Sequence, residues 1–177
     1  LRPANESRHP ISGGGVDACT TQGGVAGPWW DRLPHFRADA EPSSGAEIQS
    51  EFFVDRSDSA AAIEALRRIG PTLDPLLLVG EIRTIAADEF WLSPCHARDS
   101  TAFHFTWRRN SDAVAVAVER IGEALAPFAP RPHWGKVMPA GWRAAESYDR
   151  LDDFVQLRHR LDPGGRFLTP WVEEHVG

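Results

Sequence analysis

Lys136 is the only lysine in a chain of 177 residues whose lysine and arginine side chains number 19, so every other one of these is an arginine. It lies in Arg131-Pro132-His133-Trp134-Gly135-Lys136. Lysine is a compact ammonium on a flexible stem, whereas arginine is a broad, permanently charged fork. The plain alternative is a leftover surface lysine, but proline, histidine, tryptophan and glycine beside it read poorly as a solvated face, so Lys136 is a candidate functional residue, placed where a guanidinium will not serve. A second set of polar residues recurs at i and i+2: Gln49 with Glu51, Glu81 with Arg83, and His104 with Thr106. On a strand, residues two apart share a side. Three strands paired through their middles would gather these pairs into one wall of mixed donors and acceptors, suited to a ligand with many hydroxyls. The competing reading is the solvated side of an antiparallel sheet, which is common. Taken singly, His104 reads as a structural histidine and Glu81 with Arg83 as an ion pair.

The pattern of the chain supplies the strands this wall requires. Ile48, Ser50, Phe52 and Val54 alternate with Glu47, Gln49, Glu51 and Phe53, which predicts a strand. Ser57 or Asp58 is placed to cap a helix with Ile63, Leu66 and Ile69 on one face, and Gly70-Pro71 is expected to stop it. Leu76 to Ile85 reads as a second strand, with Glu81 and Arg83 on one side and Leu78, Ile82 and Thr84 on the other; Asp88 to Leu92 is its expected hairpin continuation. Thr101 to Arg109 reads as a third strand, with Phe103, Phe105 and Trp107 as its apolar side. Asn110 or Ser111 then caps a helix lined by Val114, Val118, Ile121 and Leu125, and Pro132 to Val137 is a short last strand or extended segment. Strand, helix, strand, strand, helix, strand is the split βαβ order, and the expected fold is α+β: a ferredoxin-like antiparallel sheet with helices on one face and the other face free. A further helix is predicted over Tyr148 to Leu161, and Arg166 to Trp171 is a separate docking segment.

Composition narrows the classes of function. A net charge of −6 and a pI near 5.6 argue against nucleic-acid binding, which leaves a basic footprint. No run approaches the ~20 apolar residues that span a bilayer, and no basic-then-apolar leader opens the sequence. With two cysteines, Cys19 and Cys95, the expected setting is the reducing cytoplasm, although one bridge between them stays open. Serine-hydrolase elbow, zincin helix and P-loop are all missing from the sequence, and Asp88, Glu89, His96 and Asp99 have no tight metal-ligand spacing, so no metal is expected. Residues 1–46 are rich in glycine, proline and serine, including Gly13-Gly14-Gly15 and Pro42-Ser43-Ser44-Gly45, with Trp29, Trp30, Leu33 and Phe36 as apolar anchors. A chain that opens at Leu1 and has its only methionine at Met138 is expected to be a piece of a longer one.

Gln49, Glu81-Ile82-Arg83-Thr84, His104-Phe105-Thr106-Trp107 and His133-Trp134-Gly135-Lys136 follow one another in this order. Together with Gly27-Pro28-Trp29, Leu33 to Arg37 and Leu161-Asp162-Pro163-Gly164-Gly165-Arg166-Phe167-Leu168, they resemble the C-terminal part of the FAD-dependent alditol oxidases. These belong to the vanillyl-alcohol-oxidase superfamily and are related to the D-arabinono-1,4-lactone oxidases, which share the lysine tetrapeptide. The resemblance implies three parts: a loop-rich segment over 1–46, a substrate-binding cap domain over 47–140, and a C-terminal helix and tail over 141–177 docking on an FAD domain absent from this sequence. It implies oxidation of a polyol's terminal alcohol to an aldehyde, with O2 as acceptor and H2O2 as product. Lys136, Arg83 and His104 would be catalytic, and Gln49, Glu81 and Thr106 would hold the remaining hydroxyls. Lys136 and His133 would face the FAD, which the absent domain of the same polypeptide mainly binds. Two alternatives remain at this point: an aldonolactone oxidase, and a non-catalytic carbohydrate- or partner-binding module.

Overall fold

A computed structural model describes residues 6–9, 15–32, 37, 39–40 and 47–177. The glycines at 13 and 14, the Leu33 to Phe36 anchors and the 42–45 turn lie outside these residues. Two compact units divide between Glu47 and Ile48. The first carries no long regular element among its described residues, only single 3-10 turns at Val16–Ala18 and Trp29–Asp31. Trp29 and Trp30 meet edge to face at 5.8 Å, and the Arg32 guanidinium donates to the carbonyls of Val25 and Ala26.

The second unit is built on a four-stranded sheet. Its strands are β1 (Glu47–Asp55), β2 (Leu77–Ile85), β3 (Ser100–Arg108) and β4 (Arg131–Pro132), in the spatial order β2-β3-β1-β4. β2 runs antiparallel to β3, and β4 antiparallel to β1. Two helices, α1 (Ser59–Leu73) and α2 (Ser111–Leu125), fill the gaps in the chain between strands, so the α+β split βαβ order read from the sequence is the order found. Phe52 and Val54 of β1 and Phe103, Phe105 and Trp107 of β3 face these helices. They pack on Ala62 and Leu73 of α1 and on Val114, Ala117, Val118, Ile121 and Leu125 of α2. Each large side chain so buried stabilises by roughly 1.5–3 kcal/mol. One polar pair sits inside this core: the Trp107 indole donates to Ser50 Oγ at 2.9 Å, and both residues are fully buried.

Several boundaries differ from the sequence expectation, each for a local reason. α1 starts after a 3-10 turn over Arg56–Asp58, which the Asp55 carboxylate caps by accepting from the Ser57 N–H; the Asp58 side chain caps nothing. Gly70-Pro71 does not stop α1, because Leu73 extends the apolar stripe one turn further into the core and is 3% exposed. Pro71 sacrifices one backbone hydrogen bond there. A bulge between Leu77 and Val79 leaves Leu78 without a ladder partner, while Ile82 and Thr84 pair with Phe103 and Thr101 as the alternation requires. Asp88 to Leu92 is not a strand. The loop instead folds on itself, with the Asp88 carboxylate accepting from Phe90 N and Ser93 Oγ, and Asp88 bridging His96. Asp99 accepts from Ala87 N at 2.8 Å, so these acids stitch a loop.

That loop also corrects the expectation of a free second face. Cys95 packs on Phe53 and Ala102 there, and Arg98 donates to the Phe53 and Ala129 carbonyls, so one end of the face is covered. Cys19 and Cys95 are both free thiols. Past the sheet come α3 (Leu151–Leu161), shorter by a turn than predicted, and α4 (Pro170–Val176), which the sequence reading did not anticipate. Thr169 caps α4 and Pro170 opens it. Both helices belong to a second core of Ala144, Tyr148, Leu151 and Val176, with Trp134, Trp142 and Phe154 against it.

Candidate functional site

The register of the sheet aims the chemistry. Glu81 lies opposite His104 and Arg83 opposite Ala102, which puts both on the side of β3 away from the helices. Glu51 is on the same side of β1, since Phe52 faces the helical core. The side chains meet. Glu51 Oε1 accepts from Arg83 Nη1 at 3.1 Å, and Glu51 Oε2 accepts from Lys136 Nζ at 2.5 Å. Arg83 also donates to Glu81 Oε2, from Nη2 at 2.5 Å and Nε at 3.2 Å. His104 Nδ1 stands 3.6 Å from Glu81 Oε1, too far for a hydrogen bond. Glu51 is 3% exposed, His104 4% and Thr106 9%, so this is not a solvated sheet face.

Lys136 arrives on a turn. β4 pairs with β1 through Phe52–Pro132 and Phe53–Arg131 only, and the expected strand over Pro132 to Val137 is cut to two residues. His133 N then donates to the Glu51 carbonyl at 2.9 Å and Val137 N to the Gln49 carbonyl at 3.0 Å. Between these two anchors the chain loops out, closed by Lys136 N to His133 O at 3.1 Å. Trp134 pins the turn from the far side: its indole donates to Leu92 O at 2.7 Å, and its ring stacks on Tyr148 at 5.4 Å and meets Trp142 at 5.2 Å.

Burial and nearby positive charge set the protonation of the two histidines. His104 is held below its ordinary value first by burial and then by the Lys136 ammonium, against a smaller upward pull from Glu51. Neither of its ring nitrogens has a hydrogen-bond partner among the described residues. It is a neutral imidazole with an unused acceptor. His133 is lowered by the same two causes, and its Nδ1 accepts from the Gly135 N–H at 3.0 Å, which requires that nitrogen to be unprotonated. For Glu81, burial pulls upward, but the hydrogen bond and charge of Arg83 outweigh it, so the carboxyl is lowered and ionised.

Arg83, His104, Glu81 and Lys136 are thus brought together, with Gln49 and Thr106 on the same strand sides. His133 opens the lysine turn and stacks against Phe53 at 6.3 Å. The sequence marks Glu51 only as Gln49's neighbour in the polar pair and not as a site residue. A lone lysine beside an inward-facing carboxylate two residues from Gln49 was the available signal. A groove of about 750 Å3 opens between α1 and the edge strand β2, lined by Ile63, Leu66, Leu73, Ile82 and Phe103 among others. It reaches Glu81 and His104 but not Arg83, Glu51 or Lys136, so volume and chemistry do not coincide.

Residues 46–175 match the family of D-arabinono-1,4-lactone oxidase, a span that takes in all four strands in full. The chain belongs to the D-arabinono-1,4-lactone oxidase family. Within and around this family it is 48% identical over 174 residues to an alditol oxidase of Streptomyces sp. (strain IKD472 / FERM P-14339), covering 98% of this chain and 42% of that protein. It is 29% identical over 137 residues to an L-gulono-1,4-lactone dehydrogenase of Mycobacterium tuberculosis, covering 73% of this chain and 30% of the relative. With an L-gulonolactone oxidase of Mus musculus it shares 32% identity over 101 residues, 53% of this chain and 22% of the relative. The chain therefore spans less than half the length of each of these members.

Proposed function

We propose that this chain is the substrate-binding C-terminal part of an FAD-dependent alditol oxidase, taking the terminal CH–OH of a polyol to an aldehyde with O2 as acceptor and H2O2 as product. One observation carries the reading: Arg83, Lys136, Glu81 and a buried neutral His104 with no hydrogen-bond partner among the described residues meet on one sheet face of a chain 48% identical to an alditol oxidase over 98% of its length. Oxidases of this family are flavoproteins. The two unpaired ring nitrogens of His104 and the lysine turn fit a polar group brought in against this face. No phosphate-cradling glycine loop stands among the described residues, and the dinucleotide would be held mainly by a flavin domain of the same polypeptide, with His133 and Lys136 facing it.

A bound flavin supplies a hydride acceptor. The residues of this chain handle the alcohol. Arg83 and Lys136 orient the reacting hydroxyl and stabilise the negative charge that grows on its oxygen. The His104 imidazole accepts the hydroxyl proton, a task suited to a neutral histidine within hydrogen-bond reach. Gln49, Glu81 and Thr106 pair the remaining hydroxyls, and such a site strongly rejects substrates that leave its polar groups unpaired.

Peroxide formation by the full-length polypeptide, assayed with xylitol, sorbitol and an aldonolactone, tests the reading. Faster turnover of the open-chain polyols supports it. Faster turnover of the lactone would transfer the chain to the lactone oxidases. Polyol binding by the isolated chain without flavin, measured by calorimetry, would instead support a binding module.

A further inference from the structure

Glu51 is placed unlike any other acid of the site. It sits on β1, an interior strand of the sheet, and each carboxylate oxygen is taken by a different cation: Oε1 by Arg83 at 3.1 Å and Oε2 by Lys136 at 2.5 Å. Its main-chain carbonyl accepts from His133 N at 2.9 Å. One residue therefore holds both ends of the lysine turn, the start through its backbone and the finish through its side chain. Arg83 comes from the edge strand β2 and Lys136 from the turn after β4, on opposite flanks of β1. Nothing else among the described residues joins those two flanks by side-chain bonds to both cations.

Exposure separates its role from those of its partners. The Arg83 side chain is 44% exposed and that of Lys136 15%, against 3% for Glu51. The two cations can reach a ligand while the acid behind them cannot. A buried carboxylate is tolerated only when paired and hydrogen-bonded, and breaking such a pair leaves an uncompensated charge, so the three groups are fixed as one unit. We propose that Glu51 is the positioning residue of this site: it sets the separation of Lys136 and Arg83 on the sheet face and so fixes where their charge meets a bound hydroxyl. Its catalytic consequence rests on the functional reading above; its hold on Lys136 does not.

The test uses the full-length flavoprotein with Glu51→Gln, which keeps the size of the side chain and removes its charge, and Glu51→Asp, which keeps the charge but withdraws it by one methylene. Loss of a charge-assisted bond should expose the lysine, and in Glu51→Gln an amine-reactive reagent should label the Lys136 peptide at least about fivefold faster by mass spectrometry. Turnover on xylitol should fall at least about tenfold in Glu51→Gln, with the Michaelis constant moving less and the flavin spectrum unchanged, as for a group acting on the transition state. In a Lys136→Met background the same change should cost under about twofold more, because residues that act as a unit are not additive. Glu51→Asp should stay at least about fivefold slow, since reach as well as charge is needed. Unchanged labelling of Lys136, wild-type turnover in either variant, or losses that simply add to Lys136→Met would each overturn the proposal. The labelling needs no turnover, so its failure counts against Glu51 alone, whereas a wild-type protein that forms no peroxide from polyols counts against the functional reading alone.

Discussion

Lys136 is held by a carboxylate rather than left to solvent, and under the proposed function this fixes an ammonium where a reacting hydroxyl would bind. A guanidinium in its place would need room for a planar fork beside that of Arg83. Replacing Lys136 with methionine keeps much of the stem and removes the charge. If the proposed function holds, turnover of the full-length polypeptide on polyols should fall at least ~100-fold, the scale set by losing one preorganised charge partner. A turnover number equal to wild type, measured by peroxide release, would remove Lys136 from the chemistry. A second residue-level prediction concerns stability alone. Ser50 accepts from the Trp107 indole at 2.9 Å in a fully buried position. Ser50→Ala strands that N–H, and chemical denaturation should register a loss of about 1–3 kcal/mol, the usual cost of an unsatisfied buried donor. A loss within ~0.3 kcal/mol of zero, well under that cost, would mean that the indole finds another acceptor.

The lysine turn is the element on which the site depends, and its two central residues should behave in opposite ways. A methyl group built on Gly135 would approach His133 Cε1 no closer than 3.5 Å, an ordinary contact, and its backbone is not in the left-handed region. Gly135→Ala should leave activity intact and the melting temperature unchanged or slightly raised, because alanine restricts the unfolded chain. Trp134→Ala removes the stacking on Tyr148 and Trp142 and the bond to Leu92 O, and should cost about 3 kcal/mol, the low end for truncating a packed tryptophan. It should also reduce turnover, since Lys136 shares the turn; full activity with lowered stability would show that Trp134 serves packing only. The strands and helices around this turn were legible because period-two and 3.6-residue patterns are local: Phe103-Phe105-Trp107 and Val114-Val118-Ile121-Leu125 declare their buried sides unaided. The turn itself was not legible, because what bends 133–137 away from an extended path is a pair of distant carbonyls, those of Glu51 and Gln49. The same holds for Leu73, whose core contacts carry α1 through Pro71, and for Tyr148, whose phenol burial pushes up to about 12 and whose ring is the platform for Trp134. Glu51 was hidden by the same kind of distance, since both cations it joins are more than thirty positions away and a strand's alternation says which side a residue faces, not whom it meets.

At the scale of the whole molecule, acidification sets two effects against each other. The chain carries a net charge of −6 with its seven histidines neutral, so protonating them relieves long-range repulsion and favours the folded state. That repulsion acts between exposed charges and is screened beyond roughly 8 Å at physiological salt. His104 and His133 act in the opposite direction and are not screened to the same degree, because both are drawn down from the ordinary value of 6.5 first by burial and next by Lys136. With folded values below 6.5, the unfolded chain takes up protons in this window that the folded chain refuses, so the stabilisation is complete above 6.5 and is lost as the pH falls through the lowered values. Protonating His133 also abolishes the acceptor for the Gly135 N–H and loosens the lysine turn. Glu81, lowered from 4.5 after Arg83 outweighs its burial, adds a loss of the same sign only at more acid pH. The local terms should win: the melting temperature in 0.15 M salt should decline from about pH 7 to 5.5, within the range where an ordinary histidine titrates. In the double variant His104→Gln, His133→Gln, whose amides cannot titrate, the slope over that interval should flatten or reverse as the relief of net charge is left alone. An equal decline in wild type and variant would place the acid sensitivity in other groups and remove these two histidines from the pH response of the fold.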